Sequence, residues 1–455
     1  IFTAPSMQLG SRASKKYSDP NSWHNQFYSL VTTKIDEEIF KPLFPEGKKS
    51  GRPNASIRIL VAMSVLKEGF GCSDEDLFEK CEFDLLTRKA LGMELLTDVT
   101  PSIDTYYLFR RRICEYQERT GFDLMQLCFE QLAGKHVHLL KISGKCVRMD
   151  SKLIGSNIAR QSRYELIHTT LVKFLKTCTL THLSPEQEER AKEYLKEDSS
   201  KTVYRSDSDT LQSNLARIGN FIMEMLAAFP ATSPAHDLLQ RLFDEQYVVM
   251  DGKAVLRDKK EVKADSLQNP NDPDATYRAK NDQKVQGYVT NITETVEEGK
   301  PNIITSVQVE TAVFADCHFL QEAVENSERV TDSTIEDLYA DGAYQSPDNR
   351  EFAKNHNAMQ LKTGKMQGGC RWELIPHDED GLTVREIATG NTYEAVKAVT
   401  KQGSRKRWRI PWNNKTGWRY FEDKDIKAYQ LRKQIESLPL EEQHKRNNVE
   451  AAMFQ

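Results

Sequence analysis

The fold is decided by two short stretches, KCVRMD at residues 145–150 and TIEDLYAD at residues 334–341. The first alternates apolar and polar residues as a half-buried β-strand does, and both stretches end on an acid. Between them, residues 284–296 and 302–313 are β-rich and flank a turn sequence, which predicts an antiparallel hairpin. Residues 359–362 predict a fifth strand. The sequence therefore predicts an α/β domain with a mixed five-stranded sheet.

Upstream of the first strand the pattern is helical. Residues 56–67 place their apolar side chains on one broad face, and Ser73 is a predicted N-cap before the next apolar helix. We expect an all-α domain over residues 51–140. Residues 1–50 are polar and aromatic with little periodicity, and they are predicted to form a partly ordered amino-terminal arm.

The remaining segments interrupt or follow the predicted sheet domain, which spans residues 141–364. Capping signals and a long apolar stretch predict a helical insert at about residues 160–265. Residues 365–422 contain short β-like pieces between turns, which predicts a β-rich insert. Residues 423–455 predict a carboxyl-terminal helical segment. Because the chain begins at Ile1 and stops at Gln455 within a predicted helix, we expect a truncated copy.

Composition limits the class of protein. The 455 residues include 38% hydrophobic residues, which is enough for several cores, and eight scattered cysteines without a metal-binding spacing. No signal peptide or membrane span is evident, so we expect a cytoplasmic protein with reduced cysteines. The net charge of -4 excludes a uniformly basic nucleic-acid binder. Any contact with DNA must therefore come from local basic patches.

Three acids are distributed across this pattern in a way that suits metal chemistry. Asp150 and Asp341 end predicted strands, and Glu450 lies in the last predicted helix. Two-metal phosphoryl transfer needs a few carboxylates, held rigidly, to bind a pair of Mg²⁺ ions. The turn Gly342-Ala343-Tyr344 leaves the carboxylate of Asp341 at the edge of the predicted sheet. Each acid alone is weak evidence, because the chain contains 67 Asp and Glu residues.

Four strings resemble, in order, the DDE transposases of bacterial insertion sequences. They are MDSKLIGSNIAR at 149–160, DPDATYRAKNDQKVQGY at 272–288, YADGAYQSPDNR at 339–350 and RNNVEAAMF at 446–454. Residues 52–115 also resemble the helical amino-terminal domain common in that group. The resemblance implies an RNase H-like catalytic domain, with residues 365–422 as the β-rich insertion that often precedes the catalytic Glu.

The resemblance also implies a catalytic triad of Asp150, Asp341 and Glu450 that binds two Mg²⁺ ions, with Mn²⁺ as a substitute. In the family the Glu belongs to a Tyr-x2-Arg-x3-Glu-x6-Lys pattern, which Arg446 and Glu450 match. Gln443 replaces the Tyr, and the Lys would lie beyond the end of the sequence, so the pattern is matched at its Arg and Glu positions. Rival acids lack the Arg partner; these are Glu436, Glu441 and Glu442.

The implied reaction is cleavage of double-stranded DNA at the ends of an insertion sequence, followed by transfer of the 3′-hydroxyl strand to target DNA. Because two ends are joined together, a homodimer assembled on DNA is expected. Two other classes stay open: a metal-dependent nuclease of the same fold without strand transfer, and an inactive remnant that only binds DNA.

The basic segments are candidates for the contact with DNA. Residues 401–419 carry seven Lys or Arg, no acid and three tryptophans, which suits phosphate neutralisation and stacking on bases. The alternative is that the tryptophans form the core of a small β module. For Arg110–Arg112 a solvated helix face is an equal alternative. The full set of predicted DNA contacts is Arg110, Arg111, Arg112, Arg405, Lys406, Arg407, Trp408, Arg409 and Arg446.

Overall fold

A computed structural model describes most of the chain. The described residues are 9–44, 55–230, 233–280, 283–363, 370–377, 381–398, 406–412, 417–437 and 439–440. Within these ranges no helix is both long enough and apolar enough to cross a lipid bilayer.

The described chain begins with helices, and from residue 146 onward it contains both helices and strands. The helices are α1 (Ser11–Tyr17), α2 (Trp23–Leu30), α3 (Ile57–Phe70), α4 (Asp74–Phe83), α5 (Leu85–Ala90), α6 (Ile103–Thr120), α7 (Leu124–Leu140), α8 (Arg163–Leu175), α9 (Pro185–Lys196), α10 (Ser199–Arg205), α11 (Ser208–Ala228), α12 (Pro234–Gln246), α13 (Leu320–Thr331), α14 (Pro347–Asn355) and α15 (Asp423–Glu436). The strands are β1 (Cys146–Gly155), β2 (Tyr247–Met250), β3 (Lys253–Leu256), β4 (Thr276–Lys280), β5 (Gln283–Thr295), β6 (Ile304–Thr311), β7 (Asp337–Ala340), β8 (Gln360–Thr363), β9 (Trp372–His377), β10 (Gly381–Glu386), β11 (Thr392–Lys397), β12 (Arg407–Trp412) and β13 (Gly417–Glu422).

The amino-terminal helices begin and end where local sequence signals predict. The Ser73 hydroxyl accepts a hydrogen bond from the backbone N–H of Asp76, and the backbone N–H of Ser73 donates to the Asp76 carboxylate, which forms a capping box at the start of α4. Gly71 ends α3 in the left-handed region, with φ 59°, where glycine has no steric penalty. The all-helical prediction for the region before β1 is confirmed.

Residues 9–44 differ from the predicted arm. They contain α1, α2 and two 3₁₀ turns, Thr32–Lys34 and Glu37–Leu43. Ile35 and Phe40 are fully buried in the same core as α3 and α6. Each of these elements is short and adds few apolar residues, so no helical period is visible in the sequence. The prediction of a partly ordered arm does not hold for this part of the chain.

The central sheet has the five predicted strands and one more. Its spatial order is β4-β5-β1-β7-β8, with β6 also paired to β5. β5 pairs antiparallel with β1, β4 and β6, which confirms the predicted hairpin. β7 runs parallel to β1, and β8 runs parallel to β7. The sheet is therefore mixed, as predicted, and β1 is where antiparallel pairing gives way to parallel pairing.

One face of this sheet packs on helix α13. Val147 and Met149 of β1 are fully buried with Leu338 of β7 and Val324 of α13. Successive residues of a strand point to opposite faces, so the odd-numbered positions of β1 enter this core. Arg148 and Asp150 consequently face the other side of the sheet.

The predicted helical insert lies between β1 and β4 and has its own core. Helices α8 to α12 bury Ile167, Phe221 and Leu239 together. The hairpin of β2 and β3 follows α12 and was not predicted. Tyr247, the first residue of β2, is buried against Gly219 of α11, where any larger side chain would overlap its ring.

The β-rich insert is a five-stranded antiparallel sheet. Its order, β13-β12-β11-β10-β9, places every strand beside its neighbour in sequence, which defines a meander. The sequence predicted short β-like pieces in this segment but not their pairing. Leu382, Val384 and Ile410 form its buried face, on which Ile426 of α15 packs.

Candidate active site

The register of β1 and β7 brings two predicted site residues together. Cys146 pairs with Asp337, Val147 with Leu338 and Arg148 with Tyr339. Two residues further along each chain, the same register puts Asp150 level with Asp341. Neighbouring strands lie about 4.8 Å apart, and residues at one level of a parallel pair point to the same face. The two carboxyl groups therefore share one side of the sheet where β7 ends.

Asp150 does not end its strand, in contrast to the prediction. β1 continues to Gly155 because β5 is long enough to pair with it through Gly287. What ends near Asp150 is the parallel pairing with β7, whose last residue is Ala340. Asp341, by contrast, follows directly after its strand, as predicted.

Backbone amides orient both carboxylates. The Ser151 N–H donates to Oδ1 of Asp150 at 2.9 Å, and the Ala343 N–H donates to Oδ1 of Asp341 at 3.4 Å. Asp150 is 9% exposed, whereas Asp341 is half-buried. The site thus has one carboxylate set into the sheet and one nearer to solvent.

A buried hydrogen-bond network lies behind these acids. The Tyr344 hydroxyl donates to Oδ1 of Asn291 at 2.8 Å, and Nδ2 of Asn291 donates to Oε1 of Gln308 at 2.9 Å. Burial raises the pKa of Tyr344, and the nearby charges of Asp150, Asp316 and Asp341 raise it further. Tyr344 therefore stays a neutral hydrogen-bond donor. Sequence reasoning named Tyr344 but missed Asn291, which lies among several other polar residues of its strand and so gives no distinct signal.

The donor chemistry fits a hard divalent cation. Carboxylate oxygens are the ligands that Mg²⁺ prefers, and two of them are adjacent here. Among the described residues no group of three or more His, Cys, Asp or Glu side chains is arranged to hold a metal. The third predicted ligand, Glu450, lies outside the described residues, as does its partner Arg446.

The basic segment of the β-rich insert divides between the two faces of its sheet. Trp408 is 4% exposed and belongs to the buried core, so it is unable to stack on a base in this fold. Arg407 and Arg409 face the other way, stacked on Tyr420 at 4.0 Å and on Trp418 at 4.2 Å. Trp418 is 48% exposed. The packing favours the core alternative for Trp408 but leaves an outer face rich in arginine and aromatic rings.

The other predicted DNA contacts have different environments. Lys406 is exposed, and Arg405 lies outside the described residues. On α6, Arg110 is 3.9 Å from a carboxylate oxygen of Asp74 and Arg111 is 3.6 Å from one of Glu115. The Arg112 guanidinium lies 5.2 Å from the ring centre of Phe44. These three arginines therefore already have partners on the domain surface.

Arg148, a cation in the strand that carries Asp150, is not available to DNA. Its side chain is 3% exposed and forms an ion pair with Glu294 of β5 at 2.5 Å. Glu294 is also buried and lies opposite Arg148 in the pairing of β1 with β5. The ion pair therefore links the two strands two residues before Asp150. The charge of Arg148 is thus part of the packing of the sheet.

Comparison with known proteins gives one similarity. Residues 16–112 match the family model of the transposase domain (DUF772). No curated protein and no solved structure matches the chain. The match covers about a fifth of the sequence, from α1 into α6, and ends before the sheet that carries Asp150 and Asp341. The amino-terminal helical region of this chain, over residues 16–112, is therefore similar to a transposase domain.

Proposed function

We propose that the chain is a DDE transposase, an endonuclease that cleaves the ends of an insertion sequence and joins the 3′-hydroxyl strand to target DNA. The observation that carries the proposal is the register of β1 and β7, which sets Asp150 beside Asp341. The similarity of residues 16–112 to a transposase domain supports the same function from a separate part of the chain.

An RNase H-like fold is the proposed architecture of the domain with the two aspartates. Supporting it, β6, β5 and β1 are antiparallel neighbours, whereas β7 and β8 continue the sheet in parallel. Helix α13 lies between β6 and β7, and helix α14 lies between β7 and β8. In chain order, β1 and β7 are the first and fourth of these five strands. They are adjacent in the sheet, so acids on them lie near its centre.

In the proposal Asp150, Asp341 and Glu450 hold two Mg²⁺ ions, with Mn²⁺ as a substitute. Such a pair, when bound, supplies activation of the attacking oxygen and stabilisation of the leaving oxygen. The chain's own contribution is to fix the carboxylates. The amides of Ser151 and Ala343 hold Asp150 and Asp341, and the neutral Tyr344, hydrogen-bonded to Asn291, lies near both carboxylates.

The proposed contact with DNA includes the outer face of the β-rich insert. Arg407 and Arg409 lie flat on Tyr420 and Trp418, and a stacked guanidinium still has N–H donors at its edge for phosphate. An exposed tryptophan adds a surface on which an unpaired base can stack. Because two transposon ends have to be joined, the proposed active form is a homodimer assembled on DNA.

The test is cleavage of a supercoiled plasmid that carries the DNA flanking the coding sequence, in Mg²⁺. Asp150→Asn and Asp341→Asn are each expected to lower the cleavage rate at least about a hundredfold, since loss of one metal ligand removes several kcal/mol of transition-state stabilisation. Asp348→Asn, at an exposed carboxylate on α14, is the matched control. Binding of the plasmid should be retained in all three variants.

Two results would contradict the proposal. If both site variants cleave as fast as the Asp348→Asn control, the two aspartates are not the metal ligands. If wild-type protein cleaves but yields no joined products with a target plasmid, the chain is a nuclease without strand transfer.

A further inference from the structure

A basic groove runs along the sheet beside Asp341, between helices α14 and α15. It consists of two adjoining cavities of about 510 Å³ and 730 Å³, which share Gln345, Arg350, Lys427 and Leu431 as lining residues. Gly342, the residue after Asp341, lines the second cavity. We call this feature the α14–α15 groove. One end of it therefore opens next to the candidate active site.

The charge of the groove is opposite to that of the whole chain. Six cations line it, Arg350, Lys354, Lys362, Lys406, Lys424 and Lys427, against two carboxylates, Glu422 and Asp423. The whole chain has a net charge of -4. A concave surface lined by one sign of charge concentrates the field and attracts the opposite charge. The groove is therefore built to attract a polyanion.

Three of these cations are available for a ligand. Lys362 is paired with Asp337 at 2.9 Å, and Lys424 is paired with Glu422 at 3.2 Å. Arg350, Lys354 and Lys427 are exposed, and no carboxylate of the described residues lies within ion-pair distance of them. Arg350 and Lys427 come from opposite walls, α14 and α15, and both line the two cavities. A ligand in the groove would meet positive charge from both sides.

We propose that the α14–α15 groove binds the phosphodiester backbone of the DNA strand next to the cleaved phosphate, with Arg350 and Lys427 as the paired phosphate contacts. The inference rests on the proposed function, because it takes the scissile phosphate to lie at Asp150 and Asp341. A strand that leaves those carboxylates past Gly342 enters the groove directly. Regularly spaced phosphates suit a groove with cations along its length better than a single small anion does.

The test is the salt dependence of binding to a labelled 30-base-pair duplex of arbitrary sequence, without Mg²⁺. Each phosphate contact contributes about 0.9 to the slope of log K against log salt concentration, so Arg350→Gln with Lys427→Gln should reduce the slope by about 1.8. Between 50 and 200 mM salt, the variant should lose about twelvefold less affinity than the wild type. Arg350→Lys with Lys427→Arg, which keeps both charges, should restore the wild-type slope.

The matched control is Lys196→Gln with Arg205→Gln, which removes the same charge from exposed positions of the helical insert. This control should keep the wild-type slope. The proposal is overturned if the groove variant also keeps that slope, or if control and groove variant change equally. Failure of the proposed function is distinguishable, because it would appear as full cleavage by Asp150→Asn and Asp341→Asn whatever the groove variant does.

Discussion

Removing the charge of Glu294 should weaken the sheet at the strand that carries Asp150. Arg148 donates through Nε to Oε1 of Glu294 at 2.6 Å, and the two side chains are only 3% and 5% exposed. Glu294→Gln keeps the volume of the side chain but leaves a guanidinium charge without its counter-ion. An uncompensated buried charge costs about 3–5 kcal/mol, because the protein interior solvates it poorly. The cost is expected to fall on the pairing of β1 with β5.

Hydrogen exchange measured by mass spectrometry localises this effect in a chain of several domains. A loss of 3–5 kcal/mol lowers the protection of amides in β1 and β5 by roughly 150-fold to 4,000-fold, at 1.4 kcal/mol for each factor of ten. Peptides from the β-rich insert, such as residues 381–386, are the internal control and should not change.

A double variant separates the buried charge from the loss of a contact. Arg148→Met with Glu294→Leu removes both charges and fills the space with apolar side chains, which is often neutral or stabilising. Protection in β1 and β5 should then return to within about tenfold of the wild type. Wild-type protection in Glu294→Gln, or equal loss in the single and double variants, would refute the reasoning.

Three other predictions concern single residues. Gly287→Ala should destabilise the sheet by about 1–3 kcal/mol, since its Cβ would overlap the Ile154 carbonyl oxygen. Gly155→Ala, which has open space at its Cβ, is the control and should leave the temperature of thermal unfolding unchanged. Because the pKa of Tyr344 is raised in the folded state, its neutral side chain contributes fully to stability below about pH 10, and this contribution is lost as the pH rises further. Tyr344→Phe should therefore show a smaller decline in melting temperature at alkaline pH than the wild type. Trp418→Ala, at an exposed ring, should weaken binding of single-stranded DNA by about 1–3 kcal/mol in a fluorescence titration and leave the insert folded. Trp408→Ala, at a buried ring, should unfold the insert.

The strands, and the positions of Asp150 and Asp341 in or directly after two of them, were predictable because they depend on local patterns. Alternation identified β1, and a residue that follows an apolar strand identified Asp341. The register that brings Asp150 and Asp341 level was not predictable from the same patterns. It depends on which residues of β1 pair with β7, and that is fixed by packing between segments far apart in the chain.

The burial of Arg148 and the faces of the two tryptophans were not predictable for the same physical reason. Arg148 is charged and lies in a basic stretch, but a glutamate 146 residues away makes its burial possible. Trp408 faces the core and Trp418 faces solvent, because the pairing of β12 with β13 sets which face each occupies. A strand assigned from sequence has two faces, and only the partner strands decide which of them is covered.

The helical insert leaves the central sheet and returns to it at one point. The Ser156 hydroxyl, just after β1, donates to Asp272, and Nδ2 of Asn269 donates to the Ala159 carbonyl oxygen at 3.1 Å. Tyr288 of β5 donates to the same Asp272 carboxylate. Hydrogen bonds thus join the two ends of the insert where it meets the central sheet. A change in the length of the helices beyond this junction would therefore leave the strand pairing of the central sheet in place.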